Sequence, residues 1–223
     1  MTAIDIHTHH STQSGDLLIV NINIDAGGLH SLSPNRYYSC GIHPWYIKDK
    51  ERQLQLLKEF LNHPNIVAIG EAGLDKLRGV SLDIQREAFI AQAILSEELR
   101  KPLIIHCVKA WDDLVAIKKE LMPKEQWVIH GFRGNEQLAR QLISHGFMLS
   151  FGREFNPKAL QIAWQDSLLA ETDEADINIY DVYSKLSEAL GITIETFSAA
   201  LERNVSKVFT LLPLPKEKEI KNK

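Results

Sequence analysis

Six side chains that can bind a metal ion stand at or just after the ends of short apolar runs scattered along the sequence. They are His7, His9, Glu71, His106, His130 and Asp173. Imidazole nitrogens and carboxylate oxygens are the usual ligands of divalent transition metals in proteins. His7 and His9 are two positions apart, so on a strand both point to the same face and can reach one ion. The residue types therefore predict a metal site, provided that the fold brings these runs together.

Each of these residues also has a plainer interpretation when it is taken alone. A single histidine is more often a surface or satisfied core residue than a ligand, as we expect for His63 before Pro64. An imidazole beside a buried apolar run, however, costs free energy if it has no polar partner. Five of the eight apolar runs are followed by a ligand-type residue, and nothing comparable precedes them. This asymmetry favours a shared site.

The elements that must position these residues follow from the hydrophobic pattern. Eight short apolar runs predict strands over residues 3–7, 17–23, 37–42, 66–71, 103–106, 127–130, 147–150 and 168–172. Helical periodicity predicts helices over residues 53–61, 83–99, 111–121, 135–145, 179–190 and 194–211. Alternating strands and helices predict a (β/α)₈ barrel of the TIM type, in which the carboxyl ends of all strands converge on one mouth.

The first third of the chain departs from that pattern. Residues 8–16 are too few for a helical crossover, and the stretch "DAGGLHSLSPN" has turn chemistry. We therefore expect a trimmed barrel with reduced helices between the first three strands. A single domain is expected over residues 1–212, followed by a charged tail over residues 213–223.

Composition narrows the possible functions. Of 223 residues, 44% are hydrophobic and 24% charged, with a net charge of −4, so non-specific binding to nucleic acid or to anionic membranes is not indicated. A polyanionic substrate would be attracted by bound cations instead. No apolar run approaches the ~18 residues of a membrane span. Cys40 and Cys107 are isolated, which predicts reduced thiols and a cytoplasmic location. The oligomeric state is not indicated.

The two kinds of ligand suggest an arrangement around two divalent ions. Glu71 offers two oxygens and can bridge both ions; His7, His9 and Asp173 would complete one site, and His106 with His130 the other. Two ions roughly 3.5–4 Å apart hold a bridging water, lower its pKa and polarise a phosphoryl or carbonyl oxygen. Asp173 can accept the proton of that water as it attacks. The ligand types suit zinc, manganese, magnesium or cobalt.

The segments around these residues resemble a known family. In chain order they read "DIHTH", "GIHPW", "GEAGLD", "PLIIHC", "VIHGF", "GFMLSFG" and "ETD". Together they resemble the TatD family of metal-dependent deoxyribonucleases, within the amidohydrolase-like barrel superfamily. The resemblance implies a trimmed barrel, a pair of divalent ions and hydrolysis of phosphodiester bonds, often in DNA. It also implies that the six residues above are the metal ligands. The catalytic roles of Glu71 and Asp173 follow from the two-ion arrangement described above.

The resemblance further implies that His43, in "GIHP", contacts a substrate phosphate at the mouth. A turn histidine before Pro44 is an equally weighted alternative. The chain also departs from the family pattern. Val108 and Lys109 stand where the family commonly has a serine followed by Arg-Asp, and Glu174 with Asp176 follows "ETD" where Ser-Pro is usual. The segment between strands one and three is also shorter than the family's. All three departures concern substrate recognition rather than metal binding.

Three classes of function remain open at this point. The first is a phosphodiesterase, in which Arg133, Arg153, Lys109 and His43 reach phosphates of a substrate such as DNA; each cation is otherwise a solvated surface charge. The second is an amidohydrolase acting on a C–N or ester bond, but there the fourth strand usually supplies a bridging lysine where Glu71 stands. The third is a metal-binding scaffold without turnover, against which the complete ligand set argues.

Overall fold

The structure is a computed structural model that describes residues 2–10, 15–24 and 32–211. Eight parallel strands form one sheet in chain order. They are β1 (Ile4–Thr8), β2 (Leu17–Asn23), β3 (Tyr37–Gly41), β4 (Ile66–Asp75), β5 (Leu103–Val108), β6 (Trp127–Ile129), β7 (Phe147–Phe151) and β8 (Leu168–Ala170). The predicted tail, residues 213–223, lies outside the described residues, as does residue 212.

The first and last strands meet just beyond the end of β8, and this contact closes the barrel. A parallel bridge joins Thr8 to Asp173. The backbone N–H of His9 donates to the carbonyl of Asp173 at 3.1 Å, and the N–H of Asp173 donates to the carbonyl of His7 at 3.0 Å. Below them, the Asp5 carboxylate accepts from the backbone N–H and the hydroxyl of Thr172, at 3.1 and 2.6 Å. The predicted barrel is therefore confirmed, and its closure brings two candidate ligands of β1 beside Asp173.

Helices surround the barrel from β3 onward. They are α1 (Lys50–Leu61), α2 (Leu82–Leu99), α3 (Trp111–Leu121), α4 (Glu136–Ser144), α5 (Pro157–Ala163), α6 (Ile179–Leu190) and α7 (Ile194–Val208). Within residues 9–10, 15–16, 24 and 32–36, the described parts of the first two connections, there is no helix, in agreement with the predicted trimming. None of the helices in the described ranges is both long and apolar enough to cross a bilayer.

The sequence prediction missed α5, which has a clear start signal. The side chain of Asn156 accepts hydrogen bonds from the N–H groups of Lys158 and Ala159, at 3.0 and 3.1 Å, and Pro157 occupies the first turn. Asparagine before proline is a favourable beginning for a helix, since proline needs no hydrogen-bond partner there. The apolar pattern of only seven residues was too short to reveal the helix by periodicity.

The predicted fourth strand is longer than expected. It continues past Glu71 to Asp75, so Glu71 lies inside the strand rather than at its end. Gly73 allows this extension, because a Cβ at Gly73 would lie 1.8 Å from the carbonyl oxygen of His106 on β5. The close pairing of β4 and β5 therefore depends on a residue without a side chain. It places Glu71 and His106 on neighbouring strands at the mouth.

Two apolar clusters hold the barrel together. The larger one packs the helices against the outer faces of the strands and includes Phe89, Trp127 and Phe147. The smaller one fills the barrel interior with side chains such as Ile6, and Phe209 after α7 packs into it. Because most strand residues of this second cluster come from the amino-terminal halves of the strands, the end of α7 closes the barrel opposite the mouth.

Candidate metal centre

The structure brings all six predicted ligands together at the mouth. Four of them form one compact group, in which the candidate ligand atoms of His7, His9, Glu71 and Asp173 lie within 4.8 Å of one another. Nε2 of His7 lies 3.5 Å from Oε1 of Glu71 and 3.6 Å from Oδ1 of Asp173. Nε2 of His9 lies 3.4 Å from Oε2 of Glu71 and 3.7 Å from the same Asp173 oxygen. These nitrogens and oxygens converge as the ligands of one ion would.

A second group contains His43, Glu71 and His106, again with candidate ligand atoms within 4.8 Å. Nε2 of His43 lies 4.0 Å from Oε2 of Glu71, and the rings of His43 and His106 are 4.6 Å apart. The sequence interpretation had paired His106 with His130 and had placed His43 at a substrate phosphate or in a turn. In the structure His43 lies among the candidate ligands, because "GIHP" follows β3 directly at the mouth.

His130 lies between the two groups. Its Nε2 is 2.7 Å from Oε1 of Glu71, the oxygen that also faces His7. A third set of candidate ligand atoms, from His130, Glu171 and Asp173, also lies within 4.8 Å. The site is thus one continuous cluster with Glu71 at its centre rather than two separate ligand sets.

The electrostatics of the ion-free protein reflect this crowding. Burial raises the pKa of Glu71, but His130, His7 and His9 outweigh burial and hold this pKa well below its ordinary value. Burial likewise opposes charge on Asp173, yet His7 and His130 lower its pKa to about 2. Burial lowers the pKa of His43 to about 4, despite the nearby Glu71 carboxylate. Ionised carboxylates beside a neutral imidazole are a donor set suited to a divalent cation.

Buried polar atoms without partners support the same interpretation. Both ring nitrogens of His7 and both of His130 are buried and make no hydrogen bond of good geometry among the described residues. Oε2 of Glu171 is also buried and accepts no hydrogen bond of good geometry from the described residues. Such atoms cost free energy unless something binds them. The residues present therefore fit divalent ions, which would bind these imidazole nitrogens and carboxylate oxygens as the imidazoles lose their protons.

Several residues that the sequence did not reveal hold the cluster in place. Nδ2 of Asn21 donates to Oε2 of Glu71 at 3.2 Å, and the hydroxyl of Ser39 donates to Oδ1 of Asn21 at 3.0 Å. Oε1 of the fully buried Glu171 accepts from the backbone N–H of Gly131 at 2.5 Å and lies 3.7 Å from Nδ1 of His130. Glu171 belongs to the "ETD" segment, which was the available signal for it.

Asp75, the last residue of β4, supports His106 and the loop after β3. Its Oδ2 accepts from Nε1 of Trp45 at 2.6 Å and lies 3.3 Å from Nε2 of His106. Its Oδ1 accepts from the backbone N–H groups of Leu77 and Arg78. Partners of this kind fix the orientation and tautomer of a metal-binding histidine. Asp75 lies in the "GEAGLD" segment together with Glu71. The spacing of the two carboxylates in the sequence did not indicate that Asp75 has a supporting role of its own.

Two non-glycine residues at the mouth have left-handed backbone conformations. Asp173 has φ 56° and Lys109 has φ 57°. Aspartate tolerates this region better than most residues, whereas lysine does not. Strained backbone of this kind occurs often at functional sites, where the surroundings hold it in place. At Asp173 the two backbone bonds to β1 supply that restraint.

The predicted phosphate-binding cations line cavities next to the metal cluster. The cluster itself surrounds a cavity of about 110 Å³. Arg133 and Arg153 line a neighbouring cavity of about 280 Å³, which shares Asp173 and Glu174 with the first. Lys109 and Arg133 line a third cavity, of about 400 Å³. Arg133 also faces the exposed carboxylate of Glu154 at 3.3 Å. The cations therefore lie beside the metal cluster but make none of the contacts that hold it together.

A closed parallel barrel with histidines and carboxylates clustered at its mouth defines the class of metal-dependent barrel hydrolases. The family model described as TatD related DNase matches residues 29–210 of the chain. This chain belongs to the TatD family of metal-dependent hydrolases.

The relatives agree with this assignment. The chain is 30% identical over 199 residues to a metal-dependent hydrolase of Buchnera aphidicola, covering 79% of this chain and 75% of the relative. It is 31% identical over 147 residues to the 3′-5′ ssDNA/RNA exonuclease TatD of Pantoea vagans, covering 60% of this chain but only 56% of that relative. A crystal structure of YJJV, a TatD homologue from Escherichia coli, superposes with a TM-score of 0.79 at 21% identity, covering 94% and 98% of the two chains. At that identity the likeness shows the fold alone.

Proposed function

We propose that this chain is a two-metal phosphodiesterase that hydrolyses nucleic-acid strands, DNA in the first instance. The observation that carries the proposal is the central position of Glu71, which belongs to two groups of candidate ligands. One group contains His7, His9 and Asp173, and the other contains His43 and His106. A carboxylate in this position can bridge two ions, as the sequence interpretation had suggested.

In the proposed arrangement His7, His9, Glu71 and Asp173 would hold one ion. His106 and Glu71 would hold the other, and His130 and His43 are further candidate ligands. When bound, such a pair of ions lowers the pKa of a water molecule and neutralises charge on a phosphoryl group. Zinc, manganese, magnesium and cobalt all suit these ligands.

The side chain of Asp173 is 29% exposed and lines the cavity, so it can contact a water molecule there. In the proposed reaction Asp173 accepts the proton of that water while the water oxygen bonds to phosphorus. The P–O bond to the leaving oxygen breaks, and the proton passes to that oxygen, so the products are an alcohol and a phosphomonoester. In this proposal Asp173 acts as the general base.

Substrate binding would use the cations beside the cluster. Arg133 and Arg153 line the adjoining cavity and would bind phosphates that flank the scissile one. Lys109 lines the third cavity and would bind a phosphate there. Glu174 and the nearby Asp176 add negative charge at this edge of the mouth, so we expect strand binding to depend on loaded metal and to weaken with added salt.

The experiment is a hydrolysis screen with the metal-loaded protein and a chelator-treated control. Substrates are an oligonucleotide, a simple phosphodiester, a phosphomonoester, an amide and a lactone. We expect phosphodiester cleavage with manganese or magnesium and its loss with chelator. Cleavage of the amide or lactone with no phosphodiester turnover would overturn the proposal in favour of an amidohydrolase. No turnover of any substrate by fully loaded protein would favour a metal-binding scaffold.

A further inference from the structure

A tyrosine stands at the rim of the metal cavity, where an apolar ring needs an explanation. Five large hydrophobic side chains are exposed in the described part of the chain, namely Tyr46, Leu77, Ile84, Ile94 and Met122. Of these, Tyr46 is the one that lines the cavity with the candidate ligands, and 49% of it is exposed. An exposed aromatic ring beside a reaction centre is a candidate contact for a substrate.

The backbone around Tyr46 is held firmly. Its N–H donates to the carbonyl of His43 at 3.0 Å, and its carbonyl accepts from Nε2 of Gln53 at 2.9 Å. On either side, Trp45 is tied to Asp75, and Ile47 is buried. A ring on such a support loses little additional freedom when a flat ligand binds to it.

The ring is also part of a small aromatic wall. Its centroid lies 5.3 Å from that of His43 and 6.3 Å from that of Trp45, the latter edge-to-face. Cζ of Arg78 lies 3.7 Å above the Trp45 ring, on the same wall. The cations Arg133 and Arg153 line the cavity that adjoins Asp173, so the mouth has an aromatic side and a cationic side.

The position of Tyr46 determines which part of a substrate its ring can touch. Tyr46 lines the same cavity as the candidate ligands Glu71, His106 and His130, but about half of it is exposed. A nucleobase is joined to its phosphate through the sugar. When the scissile phosphoryl group lies at the candidate ligands, its base must therefore lie away from them, and the exposed ring of Tyr46 is within the same cavity to receive it.

We propose that Tyr46 is a stacking platform for the nucleobase next to the scissile phosphate. The inference rests on the proposed phosphodiesterase function and adds a base-binding residue to that same site. Stacking on an aromatic ring tolerates any base, because every base has a π-face.

The test compares kcat/KM on two matched substrates: a single-stranded oligonucleotide and the same strand with an abasic residue at the cleaved position. We expect Tyr46→Ala to lower kcat/KM on the single strand about 5- to 150-fold, the range given by loss of one base stack. On the abasic strand, the kcat/KM of Tyr46→Ala should equal that of the unsubstituted protein within about twofold. Tyr46→Phe should retain the kcat/KM of the unsubstituted protein on the normal strand. Ile94→Ala, at an exposed apolar position on the outer helix α2, is the matched control.

Metal content of each variant is measured in parallel, so that loss of ions is not mistaken for loss of stacking. An unchanged single-strand rate in Tyr46→Ala overturns the inference, and so does an equal loss on normal and abasic strands. Both results leave the phosphodiesterase proposal intact, since the unsubstituted protein still cleaves. If the unsubstituted protein cleaves neither strand, nor a simple phosphodiester, the proposed function itself fails and the inference fails with it.

Discussion

Nε2 of His130 lies 2.7 Å from Oε1 of Glu71, the shortest of the contacts between candidate ligands in the described residues. Burial lowers the pKa of His130, but the Glu71 carboxylate outweighs burial and raises this pKa well above its ordinary value. In the ion-free protein the two residues therefore form a buried ion pair. Metal binding to this cluster must displace the proton of His130, so it should release protons.

We expect the protein to bind two divalent ions per chain, because Glu71 belongs to two different groups of candidate ligands. Elemental analysis after gentle loading should approach two equivalents. Glu71→Gln should reduce the content to one equivalent or less, since the amide offers one weak oxygen ligand. Glu154→Gln, at an exposed carboxylate outside the cluster, is the control. A content that never exceeds one equivalent at any loading would contradict the bridging role of Glu71.

Single alanine substitutions should separate the two ions. His7→Ala and His9→Ala should weaken one ion, because both imidazoles face Glu71 and Asp173. His106→Ala should weaken the other. His130→Ala should weaken both, since His130 lies between the groups; the sequence alone would have paired it with His106. Metal titration of the four variants tests this, and His63→Ala, in a loop after α1, is the control. Loss of only the His106 ion in His130→Ala would restore the simpler assignment.

Asn21 should position Glu71 through its hydrogen bond to Oε2. Removing such a supporting partner typically costs about 10- to 100-fold in metal affinity or activity. We therefore expect Asn21→Ala to weaken metal binding within that range while the fold is retained. Ser39→Ala, one step further from the metal, should have a smaller effect in the same direction. Asn62→Ala, at the exposed end of α1, is the control and should not change metal affinity. Equal metal affinities for all three variants would show that Glu71 is held without Asn21.

The sequence predicted the barrel and the convergence of the six candidate ligands, for one physical reason. In a parallel barrel the strand ends converge, so residues at the ends of apolar runs meet whatever their separation along the chain. The contacts of Asn21, Asp75 and Glu171 could not be predicted in this way. They depend on side-chain rotamers and on how far β4 extends, which periodicity does not encode. His43 was seen as a mouth residue, but only the turn after β3 determines that it reaches Glu71.

A stability prediction concerns Lys118, far from the metal ligands. Nζ of Lys118 lies 4.9 Å from the Trp127 ring and 4.7 Å from the Phe147 ring. Burial lowers its pKa to about 8, with Glu97 opposing. Because the folded pKa is below the unfolded value, the unfolded state binds more protons between pH 8 and about 10.4, and stability rises with pH over that window.

Lys118→Met removes the charge and keeps the length of the side chain. It should therefore raise the free energy of unfolding at pH 7 by about 1–2 kcal/mol. This value is smaller than the pKa shift alone would give, because Lys118 is partly exposed and the substitution also removes its cation–π contacts. The gain should shrink as the pH rises from 8 towards 10. Urea unfolding at pH 7 and at pH 9.5 measures it, with Lys119→Met on the exposed face of α3 as control. A gain that is independent of pH would show that packing rather than charge is responsible.

Asp173→Asn tests the reaction step itself. The amide has nearly the shape of the carboxylate, and the backbone bonds between residue 173 and β1 do not involve the side chain, so the fold should be preserved. The amide cannot accept a proton from the attacking water, and loss of a well-placed general base lowers turnover by about 10²–10⁴-fold. We expect kcat on a phosphodiester to fall by that factor while KM changes much less. Because Asp173 is also a proposed ligand, the comparison is made at saturating metal, with bound ions counted in both proteins.

Asp176→Asn, at an exposed carboxylate of the same loop, is the control and should retain full turnover. If Asp173→Asn with a full complement of ions keeps near-normal kcat, Asp173 serves only to hold metal, and the proton must be accepted by another group at the mouth.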